Sequence, residues 1–183
     1  MEEKILVAYA SNNGSTQEIA EVIAETLRGH GLIVDLQPIR KVRTLNGYSA
    51  LVLGVSIYIL HWHKDMKRFL SQYQGVLAGG LPVAIFSGGP FSSGDEKEWR
   101  EVRSQVDQEL AKFPWLTPVA VEIVGGKFDP KKLRFPLNLI PALKQMPAND
   151  LRDWVAIRAW ADGLHPALLQ IGQKNPEKNQ LAN

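Results

Sequence analysis

The chain has no cysteine, which removes disulfides, thiolate metal ligands and cysteine nucleophiles. It has no apolar run approaching the roughly 20 residues of a membrane-spanning helix. Neither sign of charge dominates: 21 Lys and Arg stand against 19 Asp and Glu, for a net charge of +2. That balance is too weak to argue for nucleic acid. Internal repeats and low-complexity stretches are missing, as is any linker that would split the 183 residues. The opening Met1-Glu2-Glu3-Lys4 runs straight into an apolar stretch, with no signal-peptide pattern. The expectation is one cytoplasmic domain over residues 1–172, soluble or peripheral at the inner face of the membrane, with a polar mobile tail over 173–183.

What is present is a core-forming composition, 45% hydrophobic and 22% charged, in an alternating pattern. Residues 4–10 (KILVAYA) read as a strand buried on both faces. Ile19, Ala20, Ile23, Ala24 and Leu27 then form one helical stripe. Further strands are expected at 32–36, 50–57, 81–87 and 118–124. Helices are marked by Trp62, Met66, Phe69, Leu70 and Tyr73, by Trp99, Val102, Val106, Leu110 and Phe113, and by Trp154, Ile157, Ala161 and Leu164. Asp150 is the expected N-cap of the last one. Five strands alternating with helices predict an α/β domain with a parallel sheet covered on both faces. Ligands of such sheets sit beyond the carboxyl ends of the strands. That singles out the loops at 11–16, 56–63 and 87–95. A long segment, 125–149, separates the fifth strand from the last helix, where a few residues would do.

The first loop, Ser11-Asn12-Asn13-Gly14-Ser15-Thr16, leads into a helix. Backbone N–H groups there, with the helix dipole, can converge on an anion such as phosphate. Gly14 permits close approach, and the hydroxyls of Ser11, Ser15 and Thr16 add donors. The plainer alternative is a Ser/Thr N-cap with a polar lead-in. Neither a G-x-x-x-x-G-K-[ST] nor a G-x-G-x-x-G pattern is present, which excludes Walker-type and dinucleotide sites. A phosphoryl-receiver domain would need acidic residues where this chain has Ser11-Asn12-Asn13 and Gly54-Val55-Ser56.

"VAYASNNGST" resembles the phosphate loop of flavodoxins, and the resemblance extends over residues 3 to about 165. "GVSIYILHWHKDMKRFL", "VGGKFDPKKLRFPLNLI" and Asp153-Trp154 are similar to the menaquinone-dependent protoporphyrinogen oxidase branch of that family. The resemblance implies a flavodoxin-like doubly wound sheet of order 2-1-3-4-5 and non-covalently bound FMN. It implies that Ser11, Asn12, Asn13, Gly14, Ser15 and Thr16 hold the phosphate. Ser56, Ile57 and Tyr58 would flank the flavin ring, and Ser87, Gly88, Gly89, Pro90 and Phe91 would close its other edge. Tyr58 or Phe91 would stack on it, with third-loop amides reaching its polar edge. Trp62 keeps helical spacing with Met66 and Phe69 and reads as core.

No metal site is expected at His61 and His63 in a chain that lacks cysteine. The two histidines are either substrate-facing, and so weak catalytic candidates, or simply solvated. The implied activity is an FMN-dependent oxidoreductase that passes electrons from a reduced organic substrate to a quinone. A carrier flavodoxin between protein partners is the alternative, disfavoured by a pI near 8.8. A member that has lost its cofactor is a third reading, which the intact first loop opposes. Residues 127–145 interleave Lys127, Lys131, Lys132, Arg134 and Lys144 with Phe128, Leu133, Phe135, Leu137, Leu139, Ile140 and Leu143. This is a pattern for peripheral membrane contact, or else for packing on the sheet edge or on a second subunit in a homodimer.

Overall fold

The computed structural model describes residues 4–58, 61–133, 135 and 137–172. Ile59, Leu60, Arg134, Pro136 and the expected tail 173–183 lie outside the described residues, as does the Tyr58 side chain. In chain order the elements are β1 (Lys4–Ala10), α1 (Ser15–Gly29), β2 (Ile33–Pro38), β3 (Ala50–Val55), β4 (Ile57–Tyr58), β5 (His61–Trp62), α2 (Lys64–Gln72) and α3 (Gln74–Ala78). Then come β6 (Val83–Gly88), α4 (Glu96–Leu110), β7 (Ala120–Val124), β8 (Lys127–Phe128), α5 (Pro141–Gln145), β9 (Asn149–Asp150) and α6 (Trp154–Gly172).

Five strands form one parallel sheet in the order β2-β1-β3-β6-β7. Counting only these strands, that is the doubly wound order 2-1-3-4-5. Their apolar runs follow from burial on both faces. Leu6, Leu51, Leu53 and Ile85 face Met66, Phe69 and Leu70 of α2 and Val106 of α4. Ile5, Val7, Val52 and Phe86 face Ile19, Ile23 and Leu27 of α1 and Ile157, Ala161 and Leu164 of α6. Each large side chain so buried contributes about 1.5–3 kcal/mol.

The register sets the site. Ala10 pairs with Val55, and Val55 with Ser87. The carboxyl ends of β1, β3 and β6 are therefore neighbours, and the three loops singled out above start side by side.

Several local expectations give way to tertiary context. β3 stops at Val55, and Ile57 and Tyr58 peel off into a two-stranded ribbon with His61 and Trp62. Trp62 precedes α2 instead of opening it, although its indole is core at 2% exposure. Asp150 does not cap α6. It is held by Arg152, while Asp153 Oδ1 accepts the N–H groups of Val155 and Ala156, both at 3.0 Å. The long segment after β7 is an excursion closed at its base, where β8 and β9 pair antiparallel. A Cβ on Gly125 would lie 1.7 Å from the Leu151 carbonyl oxygen, so only glycine admits this closure.

Candidate functional site

The first loop is a bare cradle. The N-cap of α1 is Gly14, whose φ of +90° favours glycine, and no side chain caps the helix. The Ser/Thr-cap alternative is thereby set aside. Gly14 N–H donates to Ser11 Oγ at 3.0 Å and tightens the turn. Among the described residues, the N–H groups of Asn12, Asn13, Ser15, Thr16 and Gln17 have no protein partner. Thr16 is 1% exposed and lies in the first turn of α1. Unpaired amides at a helix N-terminus, with no cationic side chain in the loop, fit a phosphate monoester such as that of FMN.

The second loop leans on the first. Ser56 N–H donates to the Ala10 carbonyl at 3.2 Å, and His63 N–H to the Ser56 carbonyl at 3.1 Å. His63 Nδ1 accepts Asp65 N–H at 3.1 Å and so caps α2. Its other nitrogen, Nε2, must then carry hydrogen, which it donates to Asn12 Oδ1 at 2.8 Å. Burial pushes the His63 pKa down, the nearby Lys64 and Arg40 push the same way, and Asp65 opposes them. His63 is thus a neutral brace for the first loop. Two buried polar atoms of this loop, Ser56 Oγ and Trp62 Nε1, have no partner among the described residues.

The third loop is shaped from within. Glu98 of α4 accepts the N–H groups of Phe91, Ser92, Ser93 and Gly94 at 2.8–3.1 Å. Burial raises its pKa, but those four bonds outweigh that and leave it lowered. Asp95 caps the same helix through Glu98 N–H at 2.8 Å. The amides of residues 91–94 are therefore engaged by the protein itself, and the expectation that they reach the flavin is left to Ser87, Gly88 and Gly89. Phe91 stacks on Phe128, with centroids 5.6 Å apart, and is 42% exposed.

Beside the first loop opens a cleft of about 560 Å³. Asn12 and Asn13, His61 to Lys64, Lys67, and Leu133, Phe135 and Leu137 of the excursion line it. Its lining combines the cationic Lys64 and Lys67 with apolar side chains. His61, the other candidate histidine, lies here with Nδ1 2.8 Å from Glu109 Oε1.

Three partners escaped sequence reasoning. Glu109 and Glu98 lie on the helix marked by Trp99, Val102, Val106, Leu110 and Phe113, at positions outside that apolar set. Arg152 lies in an unpatterned stretch, yet it binds Asp150 through Nε and Nη2, and Glu18 of α1 through Nη1, at 2.6–2.7 Å. Among the described residues, no cluster of three metal-ligating side chains occurs.

The sequence model of the flavodoxin domain family matches residues 6–140. Protoporphyrinogen IX dehydrogenase [quinone] of Escherichia coli (strain K12) is 23% identical over 161 residues, covering 86% of this chain and 88% of that protein. A flavodoxin from the domain Archaea superposes with a TM-score of 0.57 at 15% identity, over 90% of this chain and 98% of that one. Oxidised flavodoxin 1 from Bacillus cereus gives 0.57 at 16% identity, over 92% and 98%.

Proposed function

The chain belongs to the flavodoxin domain family and binds FMN, and on that premise we propose that it is an oxidoreductase that passes electrons from a reduced organic substrate to a quinone. The observation that carries this reading is the cleft. A carrier has to offer its flavin edge to a protein partner. Here Leu133, Phe135 and Leu137 line one cleft together with Lys64 and Lys67, and the space left suits a small, partly apolar molecule. The Escherichia coli relative, whose name specifies a quinone, supports the same choice.

In this reading Ser11, Asn12, Asn13, Gly14, Ser15 and Thr16 hold the FMN phosphate through amides and hydroxyls. Ser56, Ile57 and Tyr58 flank the ring, and Ser87, Gly88, Gly89, Pro90 and Phe91 close over it. FMN supplies the electron and hydride chemistry. The protein positions the two substrates, excludes water with the excursion and braces the phosphate loop through His63. The test is anaerobic reduction of the purified protein with candidate organic donors, followed by reoxidation with menaquinone analogues. Reoxidation by quinone within a turnover cycle is the expected result. Reoxidation by redox proteins alone would make it a carrier.

No helix among the described residues is long and apolar enough to cross a membrane. The excursion nevertheless exposes Phe135 at 75%, Leu139 at 65% and Ile140 at 42%, beside exposed Lys131, Lys132 and Lys144. Apolar tips among lysines suit an anionic lipid surface, where each cation adds about 1 kcal/mol. The protein should sediment with anionic liposomes at low salt and stay free with neutral ones. If it ignores both and instead dimerises through this face, a second copy of the chain is the cover.

A further inference from the structure

Glu109 sits on the last turn of α4 at 2% exposure, and a carboxylate so buried needs partners. Its Oε1 accepts hydrogen bonds from Lys112 Nζ and from His61 Nδ1. Lys67 Nζ stands 3.9 Å from Oε2, which has no hydrogen-bond partner among the described residues. Burial raises the Glu109 pKa, but the bonds from Lys112 and His61 outweigh it and keep the carboxyl below its usual range. An ionised carboxylate only accepts, so the hydrogen of a neutral His61 lies on Nδ1 and the lone pair is bare at Nε2. The His61 side chain is 63% exposed and lines the cleft with Asn12, Lys64, Lys67 and Phe135. Two lysines already compensate the buried carboxylate, so packing alone does not call for an imidazole held outward at this point.

We infer that His61 Nε2, oriented by Glu109, accepts and returns the proton that accompanies electron transfer in this cleft, an inference that rests on the proposed function. FMN, when bound, would take the hydride (two electrons and one proton) of a donor XH2 and pass it on to the quinone. His61 Nε2 would take the donor's second proton and give it to the quinone's second hydroxyl. The sum is XH2 + Q → X + QH2, with FMN and His61 restored. The imidazolium formed between the two steps has Lys64, Lys67 and Lys112 nearby, and the buried Glu109 carboxylate offsets their charge. His61 is then a catalytic residue and Glu109 a positioning residue.

The experiment combines ring 15N NMR of the FMN-loaded protein with steady-state kinetics on menadione. Above pH 8 the wild-type His61 ring should carry hydrogen on Nδ1, and Glu109→Gln should abolish that preference. His61→Gln should lower kcat by about 10²-fold or more while FMN affinity, read by fluorescence quenching, holds. Imidazole in solution should restore part of the rate to His61→Ala and none to the wild type. Glu109→Gln should lower kcat by a smaller factor at unchanged KM. A wild-type ring protonated on Nε2, or a His61→Gln enzyme with undiminished kcat, overturns the inference. A wild-type protein that no quinone reoxidises refutes the proposed function instead, and the NMR comparison then still decides whether the pair is built as inferred.

Discussion

Thr16 and His63 show how single atoms hold the first loop. Thr16 is buried in the first turn of α1, where the proposed reading puts its hydroxyl on the FMN phosphate. Thr16→Val keeps the shape and removes one donor to a charged acceptor, worth about 1.5–3 kcal/mol. FMN affinity should fall about 10- to 150-fold, while stability without FMN changes by under about 1 kcal/mol, because Thr16 is not the cap. Flavin titration and urea unfolding separate the two effects, and equal losses in both would assign Thr16 to packing. His63 adds a pH term. Its folded pKa is pushed below the ordinary 6.5, so as pH falls the unfolded chain takes up the proton first. The stability that neutral His63 contributes is therefore whole above about pH 6.5 and lost as pH falls through the lowered folded value. Wild type should lose more stability than His63→Gln between pH 8 and pH 5, and FMN affinity should weaken over the same window. Asp35, Asp95, Glu98, Glu109 and Asp150 are also lowered, so their losses come at more acidic pH. Parallel pH curves for the two proteins would remove His63 from this role.

The elements differ in how plainly the sequence announces them. The sheet strands are legible because burial on both faces demands unbroken apolar runs, and the helices because one face repeats with helical period. The excursion is not, since elements of two to five residues carry no period. Trp62 satisfies helical spacing with Met66 and Phe69 from a position just outside α2, so the pattern alone extended the helix too far. The cap of α6 was misplaced because Asp150 and Asp153 are equivalent as caps until Arg152 engages the first. That arginine ties three elements together. Its side chain, 2% exposed, joins β9 through Asp150 to α1 through Glu18, and its guanidinium lies 4.5 Å over the Trp154 ring. The hydrogen bonds from Arg152 hold the Asp150 carboxyl below its usual range, and the same pairing raises the Arg152 pKa. Both carboxylates are about two-fifths exposed and rehydrate when the arginine is removed. The cost of Arg152→Ala should therefore stay near 1–3 kcal/mol, below that of stranding a buried charge. Hydrogen exchange of residues 127–150 should accelerate more than that of the sheet. Uniform acceleration across the chain would mean that Arg152 merely supports the core.

On the scale of the whole molecule, the sheet gathers three loops that are remote in sequence into one receiver. The first loop is legible from β1 and what succeeds it, whereas the strand order is legible only through the resemblance to flavodoxins. The cleft is not legible, because it needs Lys67, His61 and Phe135 to meet across separate elements. We propose that residues 1–172 unfold as one unit whose stability reports the loops' joint hold on the cofactor. A ligand that binds only the folded chain stabilises it by RT ln(1 + [L]/Kd), about 2.7 kcal/mol at a hundredfold excess over Kd. Riboflavin has the ring of FMN but no phosphate, and so, on the proposed reading, would engage the second and third loops without the free amides of Asn12, Asn13, Ser15, Thr16 and Gln17. At matched concentration FMN should raise the urea midpoint well above the apo value in a single transition. Riboflavin should do much less, and inorganic phosphate at millimolar concentration should recover a small part of the gain. The Thr16→Val variant should narrow the gap between FMN and riboflavin while leaving the riboflavin shift in place. If the two flavins stabilise the protein equally, the cradle at the start of α1 does not hold the phosphate, and the ring-facing loops carry the binding alone.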